Sequence, residues 1–226
     1  QSTTKSARPV NVLTGELARV NIRIARAGEG GSDRATLLDQ RDSLLERISA
    51  RADTTAIFAS NGMVELRLGS ASGPVMVSGN IAGTLGSTTA GDGTLGFTLD
   101  GNPATLSAGS IAGKAQALTA LALRRVELDS VATAIIATVN TAQANGAALD
   151  GSAGQPLLAG TGAGNLALAF TAGAGIATAP GGSPAGSTDG SNLAALRAAF
   201  DGNGHALAMS GLIFTTSAEV SGKRVT

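Results

Sequence analysis

The chain has 226 residues, 14% of them charged, with a formal net charge of zero. It has 32 glycines, no Cys, Trp or Tyr, and only five Phe. That length can bury a core of one or two domains, and the lack of cysteine excludes disulfide scaffolds and thiolate metal sites. A balanced charge gives no field to draw in nucleic acid or an anionic membrane, and base-stacking aromatics are scarce.

The opening "QSTTKSARP" carries no apolar signal core, so residues 1–10 read as a disordered lead-in to a piece of a longer protein. Leu13, Leu17, Val20 and Ile24 then step by four, three and four, which is one helix face. Arg19, Arg23 and Arg26 line another. "AGEGGSD" interrupts, and Ser32 or Asp33 is the expected cap of a second helix, whose apolar positions include Leu37, Leu44 and Ile48. The short break predicts an antiparallel hairpin about Gly30.

The second helix, "LLDQRDSLLERIS", is dense in charge. Asp39, Asp42 and Glu46 step by three and four, and no opposite charge sits at i+3 or i+4 between Asp33 and Arg51. Charges that stabilise their own helix usually show such pairs. Two readings stay open. Arg19 and Arg23 pair with Asp42 and Asp39 across the hairpin, or the rows face other helices or subunits.

From Thr54 to Leu106 the period becomes two. Val64, Leu66 and Leu68 alternate with Glu65 and Arg67, and Asn61-Gly62 and Asp100-Gly101 are turn signals, the first of type I′. This predicts a small antiparallel β-domain over 51–110, half-buried on one side. Ser110 is the expected cap of a long helix ending near Asn145-Gly146. In it Leu121, Leu128 and Ile135 recur every seven residues, and Leu118, Ala132 and Val139 form a second series interrupted by Arg125. Such a helix would be about 50 Å long, too long for a small compact domain. A loose connector over about 147–190 holds a short strand at Leu166, Leu168 and Phe170. Ser191 is the expected cap of "NLAALRAAF", and a weaker helix follows from His205.

Catalytic patterns fail one by one. "GSIAGK" (109–114) is a residue short of a phosphate loop, and "GTGAGN" (160–165) misplaces the third glycine of a dinucleotide fingerprint. His205, the only histidine, lies beside "DGNG" and reads as an exposed turn residue without a nucleophile motif. "GDGTLG" and "TDGSN" lack the carboxylate ladder of a calcium loop.

The order of elements resembles the flagellar hook-associated protein 1 family, the first hook–filament junction protein. The resemblance rests on "LLDQRDSLLERIS", on "VNTAQANGAALDG" with Asn140, Gly146 and Asp150, and more weakly on "SNLAALRAAF" and "SAEV". It runs over residues 11–226. Gln143 stands near where relatives often carry His, and Val and Ile replace aromatics usual in the long helix. The family's terminal heptad-rich helices, which polymerise the subunit, are absent from this chain.

The expected architecture is therefore α+β: an elongated helical bundle from 11–50 and 111–226, with an inserted β-domain at 51–110. The helix-packing set is Leu13, Leu17, Val20, Ile24, Leu37, Leu44, Ile48, Leu121, Leu128, Ile135 and Val139. The charges expected between helices or subunits are Arg19, Arg23, Asp39, Asp42 and Glu46. The resemblance implies a non-enzymatic extracellular subunit without catalytic residues, cofactor or metal. It would leave through the flagellar export channel and form a ring with copies of itself. Its further partners would be the hook protein, the second junction protein and, through the absent C-terminal region, an export chaperone. Nucleic acid and membrane are not expected partners, and this piece alone would be monomeric. A flagellin-like or hook-like axial protein is the alternative within the class. A surface adhesin reading glycan through the β-segment is the alternative outside it.

Overall fold

The computed structural model describes residues 7–27 and 31–222. The expected pivot at Gly30 and the first six residues of the expected lead-in lie outside them. The fold is α+β, and the chain divides into two units, 1–122 and 123–226.

In the first unit, α1 spans Arg8–Arg26 and α2 Ser32–Ser49. The start of α1 corrects the lead-in. Pro9 sits in its first turn, where a missing N–H is harmless, and Ala7 and Val10 are already buried. The core stripe of α1 is Val10, Leu13, Thr14, Leu17, Val20, Asn21 and Ile24. Leu37, Leu44 and Ile48 of α2 are buried with it.

The strands follow in chain order: β1 Thr54–Phe58, β2 Val64–Leu68, β3 Val75–Ser78, β4 Ile81–Ala82, β5 Leu85–Thr89, β6 Leu95–Leu99 and β7 Asn102–Ala104. They make two antiparallel sheets, β1-β2-β3-β4 and β5-β6-β7. Val64, Leu66 and Leu68 are buried and Glu65 and Arg67 are half-buried, the alternation of a sheet covered on one face. The cover is α1, so this segment has no core apart from the helices. Leu66, Met76, Val77 and Leu85 share one cluster with Leu17, Ile24 and Ile48.

Turn chemistry sorts the hairpins. Asp100 (φ 52°) and Gly101 (φ 83°) are both left-handed, the mirror-image turn that two-residue hairpins favour. Asn61-Gly62 behaves otherwise. Gly62 N–H donates to Ala59 O and Ala59 N–H to Met63 O, and only Gly62 is left-handed (φ 83°). The result is a three-residue loop with a glycine bulge in place of the expected two-residue turn.

The helix α3 spans Gly109–Ala144. Its first N–H groups find partners at the end of α2: Ser110 donates to Ala50 O (3.1 Å) and Ile111 to Arg51 O (3.0 Å). Gly109 has φ 86°, and a Cβ there would lie 2.6 Å from the Arg51 carbonyl carbon, so only glycine fits.

In the second unit the connector is held by small antiparallel pairs: β8 (Gly146–Ala147) with β11 (Ala179–Pro180), and β9 (Leu158–Ala159) with β10 (Ala167–Leu168). Of the expected strand, Leu168 lies in β10 while Leu166 and Phe170 flank it. Then come α4, Ser191–Gly202, and α5, His205–Gly222.

Each serine expected as a cap lies inside its helix. Gly31 and Gly190 are the caps of α2 and α4, without a side-chain bond, and Ser110 follows Gly109 in the first turn of α3. Glycine is an acceptable cap. At α4, Asp189 supplies the acceptor for the Ser191 N–H instead (2.8 Å).

Candidate assembly interface

Buried and half-buried carboxamides fasten loops and strands to the helices, and sequence reasoning missed most of them. The Asn21 carboxamide accepts from Val64 N–H (3.0 Å) and donates to Val64 O (2.8 Å) and Gly79 O (3.2 Å). Asn11 does the same for Leu85, at 2.9 Å in each direction. Each acts as a one-residue strand, giving the sheet the peptide partner it lacks. On α3, Asn140 accepts from the N–H groups of Leu157 and Leu158 and donates to Leu158 O. Gln143 accepts from Ala177 N–H (2.9 Å), and Asn192 donates to Ala142 O and Ala177 O. A signal was available. Residues 10, 14, 17, 21 and 24 step by four and three along the buried stripe, so Asn21 occupies a core position where a polar side chain needs a partner.

Arginines of α2 clasp the β1–β2 hairpin. Arg34 donates to Ile24 O, Ala27 O and Asn61 O. Arg41 donates to Gly62 O (2.7 Å), stacks 4.8 Å from the Phe58 ring centre and pairs with the neighbouring Asp42 (2.7 Å). Asp42 therefore has a partner on its own helix, at a spacing the i+3/i+4 rule does not consider.

The remaining charges point outward. Arg19, Arg23 and Arg26 on α1 and Asp39, Asp42 and Glu46 on α2 are all exposed. Among the described residues no ion pair joins Arg19 or Arg23 to Asp39 or Asp42. The intrahairpin reading is thereby removed. Within each row the spacing is repulsive: 19–23, 23–26, 39–42 and 42–46 are like charges at i+3 or i+4. Such pairs destabilise an isolated helix by about 0.2–0.5 kcal/mol each.

The sequence-derived packing positions divide in the same way. Leu13, Leu17, Val20, Ile24, Leu37, Leu44, Ile48 and Val139 are buried, and Ile135 is half-buried. Leu121 and Leu128 are not packed: they are 58% and 43% exposed, beside exposed Leu123 and Val126. Seven-residue spacing marks a face that accepts a partner helix. It does not say that the partner lies in the same chain.

Among the described residues no three His, Asp or Glu side chains converge on a point. His205 is buried, not the exposed turn residue expected. Its Nε2 lies 2.9 Å from Thr138 Oγ1, and its ring lies 5.0 Å from that of Phe200. It joins α3, α4 and α5 as a packing residue. An open groove of about 630 Å³ beside it is lined mostly by apolar side chains, Val139, Leu193, Leu196 and Phe200, together with Arg197 and Asp201, which pair with each other at 3.9 Å.

The two calcium-loop look-alikes and the "LDGS" loop are aspartate turns. Asp92 accepts from Thr94 N–H and hydroxyl, Asp150 from Ser152 hydroxyl and N–H, and Asp189 from Ser191 N–H. These bonds favour the carboxylate and hold all three below the usual aspartate range. A depressed folded pKa stabilises fully above the unfolded value, and that contribution is lost as pH falls through the folded value. Carboxyl carbon shifts in an NMR titration should therefore place the three midpoints below that of a peptide aspartate. Midpoints at the peptide value would mean that the turns are open in solution.

Residues 1–158 match the family model described as the helical domain of flagellar hook-associated protein FlgK. Among solved structures, the flagellar hook junction protein FlgK from Burkholderia pseudomallei shares the fold, with a TM-score of 0.60 and 24% identity. The likeness covers 69% of this chain and 30% of that one, so the chain spans under a third of that protein. Comparison with curated proteins gives no match. With a helical-domain match over most of its length, the chain belongs to the FlgK family of flagellar hook-associated proteins.

Proposed function

We propose that this chain is part of a structural subunit at the junction between flagellar hook and filament. The family match over residues 1–158 carries the reading. Two features of the chain support it. Its outward charge rows and the uncovered α3 leucines suit a molecule that works by packing against neighbours. The absence of cysteine suits a chain threaded unfolded through an export channel and folded outside the cell.

In this reading copies of the chain pack side by side. The hook protein lies on one side and the second junction protein on the other. An export chaperone is a further partner. The role is mechanical, with no chemical step.

Deleting the parent gene in its host tests the proposal. The expected phenotype is bare hooks by electron microscopy, with flagellin accumulating in the medium. Normal filaments and motility would overturn it. Loss of surface attachment with intact filaments would favour the adhesin reading.

A further inference from the structure

We infer that the two charge rows of the α1–α2 hairpin form one contact between copies of this chain. The basic row of α1 in one copy docks antiparallel on the acidic row of α2 in the next. The inference rests on the reading above that copies pack side by side, and it assigns the faces and the register.

Spacing carries the argument. Along α1 the arginines step by four and then three, from Arg19 to Arg23 to Arg26. Read backwards, the acidic row also steps by four and then three, from Glu46 to Asp42 to Asp39. Antiparallel docking therefore places Arg19 on Glu46, Arg23 on Asp42 and Arg26 on Asp39 without a register shift. Each row spans about 10 Å, at 1.5 Å per residue. Parallel docking matches the ends of the rows but puts the middle pair one residue out of step.

The rows are complementary, adjacent in sequence and exposed, yet among the described residues no ion pair joins one row to the other, and Asp42 pairs only with Arg41 of its own helix. A contact that joins two different faces is heterologous. It repeats from copy to copy, closing into a ring or continuing as a helical array. Docking also places opposite charge against each repelling row, so the strain that each helix carries alone is relieved by its neighbour.

The chain has no cysteine, so single-cysteine variants report contacts cleanly. Purified Arg19→Cys and Glu46→Cys chains are mixed at low salt under mild oxidation. The control mixtures are Arg19→Cys with Asp39→Cys, the opposite register, and Arg19→Cys with Ser70→Cys, an exposed loop position. The expected result is a mixed disulfide dimer in the first mixture at least about tenfold above both controls. It should decline as salt shortens the screening length from about 30 Å at 0.01 M to about 3 Å at 1 M. Equal yields in all three mixtures overturn the contact. A higher yield with Asp39→Cys overturns the register.

Charge reversal gives a second readout. Chains carrying Asp39→Arg with Glu46→Arg, or Arg19→Glu with Arg23→Glu, should each fail to self-associate in sedimentation. Mixed together they should associate, because each then offers the row that the other lacks. A mixture that stays monomeric also overturns the inference. A gene deletion that leaves filaments intact while the disulfide forms in register would retire the flagellar reading and leave the contact standing.

Discussion

Asn21→Leu should lower the stability of the first unit by about 3–5 kcal/mol, one of the two largest effects expected of a single substitution here. The substitution strips the partners from Val64 N–H, Val64 O and Gly79 O. A buried backbone group left unpaired costs about 1–3 kcal/mol, and the added apolar area returns about 1 kcal/mol of the total. In a chain of this length the melting temperature should fall by about 10 °C. Exchange of the Val64 amide should accelerate with it. Asn21→Asp keeps the acceptor, loses both donations and buries a charge, so it should be no milder. A change under about 1 kcal/mol for Asn21→Leu would mean that water replaces the carboxamide and that the one-residue-strand account is wrong.

The second large effect is expected at Gly154. A Cβ there would fall 1.9 Å from the Gln143 carbonyl oxygen and 2.7 Å from the Ala177 Cβ. Neither neighbour is free to move. Gln143 belongs to the last turns of α3, and Ala177 is tied by its N–H to the Gln143 side chain and by its carbonyl to Asn192. Gly154→Ala should therefore cost about 3 kcal/mol, the upper range of overpacking. The loss should be local: exchange at the Ala177 amide rises, while the Val64 amide in the first unit is unaffected. Gly164→Ala is the control, since a Cβ there meets nothing within 4 Å. It should be neutral or slightly stabilising, as glycine replacements at unstrained open sites are. Equal stability of the two variants would show that the connector rearranges around the methyl group.

Helices and strands were legible because periodicity is set by local geometry. Leu13, Leu17, Val20 and Ile24 announce a helix whatever they pack against, and Val64, Leu66 and Leu68 announce a half-covered strand. Caps were less legible. Ser32, Ser110 and Ser191 are good caps by type, but Gly31 and Gly190 took the position and Gly109 stands ahead of Ser110 in α3. Where a helix begins depends on what its first N–H groups can reach, and for α3 that is the carbonyls of Ala50 and Arg51, sixty residues before the donors Ser110 and Ile111. Asn11, Gln143 and Asn192 were illegible for the same reason: their partners are backbone groups that only the tertiary fold brings near. The charge rows were legible as rows. Their direction was not, because sequence gives the angular position of a residue on its own helix but not which side a neighbouring helix occupies.

The carboxamide bridges have a kinetic consequence. Asn21 reaches 43 residues ahead to Val64, and Asn11 reaches 74 residues ahead to Leu85. The first helix is complete in sequence long before the strands that lock it exist. Contacts this distant require the intervening chain to close on itself first, and such closure slows commitment to the native state. Helix α1 is therefore expected to be fastened late, with transition-state φ-values near zero at Asn11. A molecule built this way keeps α1 pliable for as long as its strands are withheld.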